Sequence, residues 1–134
     1  MVPRFLLDTH IVVRWLAEPK RLSRDQARIL SQAVRRNEPM AIAAISMLEI
    51  AVLLGDDSHR IKAAPEELFS EFEMNPIFRI LPLTIEVAKE VTMLGGALRD
   101  PADRAIVASA RVHRLRLLTS DRRIIESNLV SVVV

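Results

Sequence analysis

Asp8, Glu49, Asp103 and Asp121 are the residues of this chain whose types and placement could do chemistry. Taken singly, each has an ordinary structural role. Asp8 suits the cap of a first helix, Glu49 has capping-box spacing from Ser46, and Asp121 can start a short helix over Arg122–Glu126. In the stretch Arg99-Asp100-Pro101-Ala102-Asp103-Arg104, Asp100 suits an N-cap, Pro101 the first helical position, and Asp103 the positive end of the helix dipole. Taken together they pose a charge problem. Carboxylates about 4 Å apart repel by roughly 1 kcal/mol per pair in water and roughly 4 kcal/mol at an effective dielectric near 20. Caps at about 1 kcal/mol each do not offset that, whereas a divalent cation does. An all-oxygen ligand set without cysteine suits Mg²⁺ or Mn²⁺ rather than zinc. Such an ion binds phosphate and activates water.

The acids converge only if the fold brings them to one edge, and the hydrophobic pattern predicts that it does. Arg4–Leu7 reads as a buried strand ending at Asp8. Thr9 to Ala17 reads as a helix with Ile11, Val12, Trp15 and Leu16 on one face. Ser23 caps a second helix to about Arg36, with Ala27, Leu30 and Val34 inward. Met40–Ala44 is a second strand, and Ser46 begins a helix ending near Gly55. Gly55 to Ala64 reads as a loop, and Pro65 opens another helix. Phe78–Leu81 is a third strand, stopped by Pro82. Thr84 caps a helix to about Leu94, closed by Gly95-Gly96. Asp103 to about His113 is helical, Arg116–Thr119 is a fourth strand, and Leu129–Val133 is a fifth. Short apolar strands alternating with helices predict an α/β fold with a parallel sheet covered on both faces. Ligands of such sheets bind outside the carboxyl ends of the strands. Asp8, Glu49 and Asp121 fall at that edge, and Asp103 joins them if its helix starts there.

Composition narrows the function classes. The chain has 134 residues, 50% of them apolar, which fits one domain with a real core. With 3 glycines and no tyrosine, it has little material for a Gly-rich phosphate loop or an aromatic stacking platform. Lysine occurs only at Lys20, Lys62 and Lys89, so the basic residues are mostly arginine, the better bidentate phosphate partner. The net charge of +2 permits nucleic-acid binding without demanding it. Asp8 and Arg14 interrupt the apolar N-terminus, leaving no signal-peptide core. The run Ala41 to Leu54 is too short to span a bilayer and carries Glu49. The reading is a soluble, cytoplasmic protein with no membrane association.

The motifs together resemble the PIN-domain ribonucleases, in particular the toxin half of bacterial VapBC-type toxin–antitoxin pairs. The matching pieces are Leu6-Leu7-Asp8-Thr9-His10, Ile45-Ser46-Met47-Leu48-Glu49-Ile50, Arg99 to Arg104 running into Ile106-Val107-Ala108-Ser109-Ala110, and Leu117-Leu118-Thr119-Ser120-Asp121. They run from end to end of the chain in family order. The resemblance implies a single PIN domain over residues 1–134. Its fold would be a three-layer sandwich around a parallel five-stranded sheet of order 3-2-1-4-5. It places the catalytic, metal-binding acids at Asp8, Glu49, Asp103 and Asp121 and a strand-end hydroxyl at Thr119. Asp100 is an accompanying acid, ranked as supporting or capping. The implied activity is Mg²⁺-dependent endonucleolytic cleavage of RNA, with Mn²⁺ able to substitute. Water is the nucleophile, and the products carry 5′-phosphate and 3′-hydroxyl ends. The implied partners are RNA, a cognate antitoxin that obstructs the site, and a second copy in a homodimer. Leu48 and Ala102 stand where the subgroup often has aromatic residues, and Gly55-Asp56-Asp57-Ser58-His59-Arg60 replaces a segment that usually contains lysine and glycine.

Around that core, Arg14, Arg104 and Arg111, with Arg114, are candidates to hold the RNA backbone, though a solvated helix face accounts for at least one of them. His10, His59 and His113 are scattered and receive no role, and Trp15 reads as a core or dimer contact. Two readings from other classes compete. One is a non-catalytic PIN-fold interaction module. The other is a receiver-type phospho-acceptor domain, which is disfavoured by the single acid after the first strand and by the absence of any lysine beyond Lys89.

Overall fold

In the computed structural model, which describes residues 1–56 and 61–134, the run Phe5–Leu7 forms β1, the middle strand of the sheet. The other strands are β2 (Met40–Ala43), β3 (Phe78–Leu81), β4 (Arg116–Leu118) and β5 (Val132–Val133), in the order β3-β2-β1-β4-β5. Every pairing is parallel. The helices between them are α1 (Thr9–Ala17), α2 (Arg24–Arg36), α3 (Ala44–Leu54), α4 (Pro65–Met74), α5 (Ile85–Thr92), α6 (Pro101–His113) and α7 (Arg122–Ser127). The loop expected over Gly55 to Ala64 lies in part, at residues 57–60, outside the described residues.

Successive strand residues point to opposite faces, and this divides the core in two. Leu7, Met40, Ile42 and Leu118 pack with Ile11 and Val12 of α1, Leu30 of α2, Ile50 of α3, and Leu68 and Phe72 of α4. Leu6, Ala41, Ala43 and Leu117 pack with Val87 of α5, Ile106 and Val107 of α6, and Ile124 of α7. The result is the three-layer sandwich, buried on both faces, that continuous apolar strands require. Trp15 packs edge-on against Phe78 as part of the first core. No helix among the described residues is long and apolar enough to cross a membrane.

Four local expectations are corrected. Helix α3 begins at Ala44, with Ala43 at the cap position and no side-chain cap, so Ser46 lies inside the helix and forms no capping box with Glu49. On α2 the buried residues are Gln26, Leu30 and Ala33. Val34 is 56% exposed, because the inward face is turned by one position. On α1, Val13 is buried and Leu16 exposed. The fifth strand is shorter than the apolar run suggested, because Leu129 and Val130 cover the second core before the chain enters the sheet.

Register carries this architecture to the site. Leu7 is level with Ile42 on one side and Leu118 on the other. The next residues, Asp8 and Thr119, therefore leave the sheet side by side, next to Ala43 at the end of β2. The fully buried Gln26 holds that edge. Its side-chain carbonyl accepts from the Ser23 amide, while its Nε2 donates, at 3.3 Å each, to the carbonyls of Thr119 and Val133 and to Ser120 Oγ. Gln26→Leu strands these acceptors and is expected to cost about 1–3 kcal/mol, the usual range for buried polar groups left without a donor. The expected readout is a lower urea midpoint at unchanged slope.

Candidate active site

Asp8 is the fixed point of the carboxyl edge. It is buried, and both its carboxylate oxygens are engaged. Oδ1 accepts from the Thr9 amide at 2.8 Å, and Oδ2 accepts from Thr119 Oγ1 at 2.8 Å. Thr119 Oγ1 also accepts from the Asp121 amide at 3.1 Å, so one buried hydroxyl ties the end of β1 to the turn after β4. Asp8 and Asp121 thus flank the β1–β4 gap, where connections leave the central strand in opposite directions and α/β sheets bind their ligands.

Glu49 arrives from α3 and is held by a chain of hydroxyls. Thr9 Oγ1 donates to Glu49 Oε1 at 2.5 Å. Having spent its only proton, Thr9 must accept in its 2.7 Å contact with the buried Ser46 Oγ. Ser46 therefore acts through Thr9, which explains why a serine is buried inside the helix. Asp103 arrives from the first turn of α6. That start is fixed by Asp100, which accepts from the Ala102 amide at 2.9 Å, and by Arg104, which donates to the carbonyls of Val91, Gly95 and Leu98.

Asp8, Glu49, Asp103 and Asp121 all line one cavity of about 740 Å³. Thr9 and His10 share its polar side, and Val13, Ile45, Leu48, Val52, Leu53 and Ile61 form an apolar wall. Leu48 and Ala102, the two positions lacking the subgroup's aromatic residues, also face it. Among the described residues, no three His, Asp or Glu side chains are already gathered at metal-ligating distances. Their oxygens are held instead by hydroxyls, amides and Arg123. That side chain lies against Asp121 (Nε to Oδ1 3.3 Å, a terminal nitrogen to Oδ2 3.2 Å) and reaches Asp103 Oδ2 at 3.8 Å.

The electrostatics favour a cation. Burial, then the neighbouring charges of Asp100, Asp8 and Asp121, raise the Asp103 carboxyl to about 6, with Arg123 only partly opposing them. For Asp121, burial also pushes upward, but hydrogen bonds from the Arg123 side chain and amide outweigh it and leave the carboxyl below its ordinary range. Burial lowers His10, against the opposing pull of Asp8. Its Nε2 accepts the Ser120 amide proton at 2.9 Å, which requires the neutral ring and leaves the proton on Nδ1, 3.5 Å from Asp8 Oδ2. A set of carboxylate oxygens in which burial and neighbouring acids raise one carboxyl to about 6 matches a hard divalent cation.

The expected arginines do not stand together here. Arg14 lies near enough to His10 to act on it electrostatically. Arg104 is committed to three backbone carbonyls, and Arg111 pairs with Glu90 at 3.0 Å and reaches the Leu129 carbonyl at 3.3 Å. Both are structural ties, for a guanidinium already bonded to the fold has little left for a phosphate. Sequence reasoning gave no role to Thr9, His10, Gln26 or Arg123. Thr9 and His10 had a signal in their position directly after Asp8, whereas Gln26 and Arg123 had none.

Comparison with known proteins agrees with the fold. Residues 5–127 match the family model described as PIN domain. The chain is 38% identical over 120 residues to Ribonuclease VapC22 of Mycobacterium tuberculosis, covering 89% of this chain and 88% of that protein. It superposes on FitAcB from Neisseria gonorrhoeae with a TM-score of 0.66 at 25% identity, over 96% of this chain and 95% of that one. It also superposes on VapBC2 from Rickettsia felis, solved bound to a promoter DNA fragment, with a TM-score of 0.70 over 96% of each chain. There the 14% identity speaks to the fold alone.

Asp103 gives the metal-free site a pH signature. Its carboxyl is raised on folding from 3.8 to about 6, so between those values the folded chain binds more protons than the unfolded one. Its contribution to stability therefore falls as pH rises through that window. Asp103→Asn is expected to melt above the parent at pH 7.5 without divalent ions, and the gap should close toward pH 4. Differential scanning calorimetry in a chelator, across pH, checks this.

Proposed function

Because the chain belongs to the PIN-domain family, we propose that it is a metal-dependent endoribonuclease, the toxin of a VapBC-type toxin–antitoxin pair, with residues 1–134 as one PIN domain. The observation that carries the proposal is that acids from β1, α3, α6 and the turn after β4 line one cavity at the carboxyl edge of the sheet. On this reading Asp8, Asp103 and Asp121 hold Mg²⁺, or Mn²⁺ in its place, and Glu49 is a further ligand or orients water. The bound cation supplies charge neutralisation on the phosphate and makes water a competent nucleophile at neutral pH.

The chain's own groups do the positioning. Thr119 fixes Asp8 and the Asp121 backbone in one frame, and Thr9 aims Glu49. His10 ties the Ser120 amide beside Asp8, and Asp100 sets the helix start that presents Asp103. Arg14 is retained as a contact for the RNA backbone, whereas Arg104 and Arg111 are left to the fold. The apolar wall, with Leu48 and Val52 exposed, suits an antitoxin segment that covers the cavity, and a homodimer completes the proposed assembly. Family membership sets aside the receiver-type reading. The non-catalytic module is separated from the enzyme by experiment.

Purified chain with Mg²⁺ is expected to cleave a structured RNA and to stop when the ion is chelated. Asp8→Asn is expected to lose at least about 100-fold, since even groups behind metal ligands contribute 10–100-fold. End analysis should find 5′-phosphate and 3′-hydroxyl termini. Cyclic 2′,3′-phosphate ends would contradict attack by water, and the absence of cleavage from a chain that binds the ion would favour the interaction module.

A further inference from the structure

Arg123 occupies an unusual position for an arginine so exposed. Its side chain is 72% accessible, yet it does not extend into water. Nε and a terminal nitrogen fork over the two oxygens of Asp121, the backbone amide of the same residue donates to Asp121 Oδ1 at 2.9 Å, and the guanidinium reaches Asp103 Oδ2 at 3.8 Å. One cation thus spans acids delivered by two different elements. Arg122, its neighbour, points elsewhere and pairs with Glu126 at 3.7 Å.

A side chain this exposed is not held by packing, so the field of the cavity holds it there. Asp121 and Asp103 are 18% and 13% exposed, far less than the guanidinium laid across them. The geometry points to Arg123 as a built-in counter-cation: it neutralises the Asp121–Asp103 pair in the metal-free chain and withdraws when a divalent cation takes those oxygens. This rests on the metal site proposed above and adds a competitor to it. Its consequences for binding and for stability run in opposite directions. With Arg123 in place the metal-free chain is relieved of part of its carboxylate repulsion, and the metal binds more weakly because the guanidinium must leave. Most of the side chain is open to water, so little opposes its departure among the described residues.

The test is calorimetric titration of Mn²⁺ into metal-free parent, Arg123→Gln, Arg122→Gln and Asp103→Asn, with melting temperatures measured before and after loading. Arg123→Gln is expected to bind Mn²⁺ about 3- to 10-fold more tightly, the scale of losing one or two exposed ion pairs. It should also melt lower than the parent without metal and gain more on loading. Arg122→Gln removes the same charge one residue away and is expected to stay within about twofold, because Arg122 pairs with Glu126 instead of the cavity acids and physiological salt screens its longer-range effect on them. Equal tightening in both variants, or none in Arg123→Gln, overturns the counter-cation role while leaving the metal site standing. If the parent binds no Mn²⁺ that Asp103→Asn weakens, the metal site falls and the inference falls with it.

Discussion

Like charges held close together are the constraint around which this molecule is arranged. At Asp103, burial first and then three neighbouring acids raise the carboxyl to about 6, so crowding adds to the cost of desolvation there. The fold does not avoid the crowding; it produces it. The parallel register sends Asp8 and Thr119 out of the sheet side by side, α3 starts immediately after β2, and α6 begins over the same edge. The free energy that tolerates this lies elsewhere, in two cores buried on either side of a sheet whose Leu6, Leu7, Leu117 and Leu118 are wholly inaccessible. A 134-residue chain has a net stability of only about 5–15 kcal/mol. Unrelieved repulsion among partly buried carboxylates is a large fraction of that.

Much of the fold was legible because continuous apolar strands and well-capped helices leave plain marks in sequence. Ser23 caps α2, Thr84 caps α5, and Asp100 with Pro101 opens α6, as their types suggest. The strand order came from the resemblance, since alternation alone does not say which strands are neighbours. Errors arose where a local pattern had a non-local cause. Ser46 and Glu49 have capping-box spacing, but both answer to Thr9, some forty residues away, and the helix simply starts two residues earlier at Ala44. Arg104 and Arg111 lie on the helix that carries Asp103 and looked like phosphate contacts. Their partners are backbone carbonyls and a glutamate supplied by distant segments, and no reading of α6 by itself contains them. Gln26 was invisible for the same reason: its cap is local, but its anchoring of β4 and β5 is made across the sheet.

The acids themselves show why capping and chemistry were hard to separate. Asp8 and Asp121 each accept a backbone proton at a helix start, as the plain reading had it, and each also faces the cavity. A carboxylate has two oxygens and about four acceptor directions, so a cap leaves capacity for a second partner. The two roles support each other, because a capped acid is held by the first turn of a rigid helix instead of a loose loop.

The hydrogen bonds further divide the site into a rigid half and an adjustable half. Asp8 is pinned through both oxygens, and Glu49 is pinned by Thr9, itself braced by Ser46 and buried against the edge of β1. Moving Asp8 breaks two buried bonds, and moving Glu49 breaks a partly buried one. Asp103 and Asp121 have a different kind of partner, an arginine held by charge and open to water on most of its surface. A ligand entering the cavity meets two acids that are already placed and two that can be taken over by displacing one mobile cation. Rigid groups define where a cation sits, and the exchangeable pair sets how tightly it is held. The short hydroxyl relay and the exposed guanidinium are thus two answers to a single problem of like charge, one permanent and one reversible.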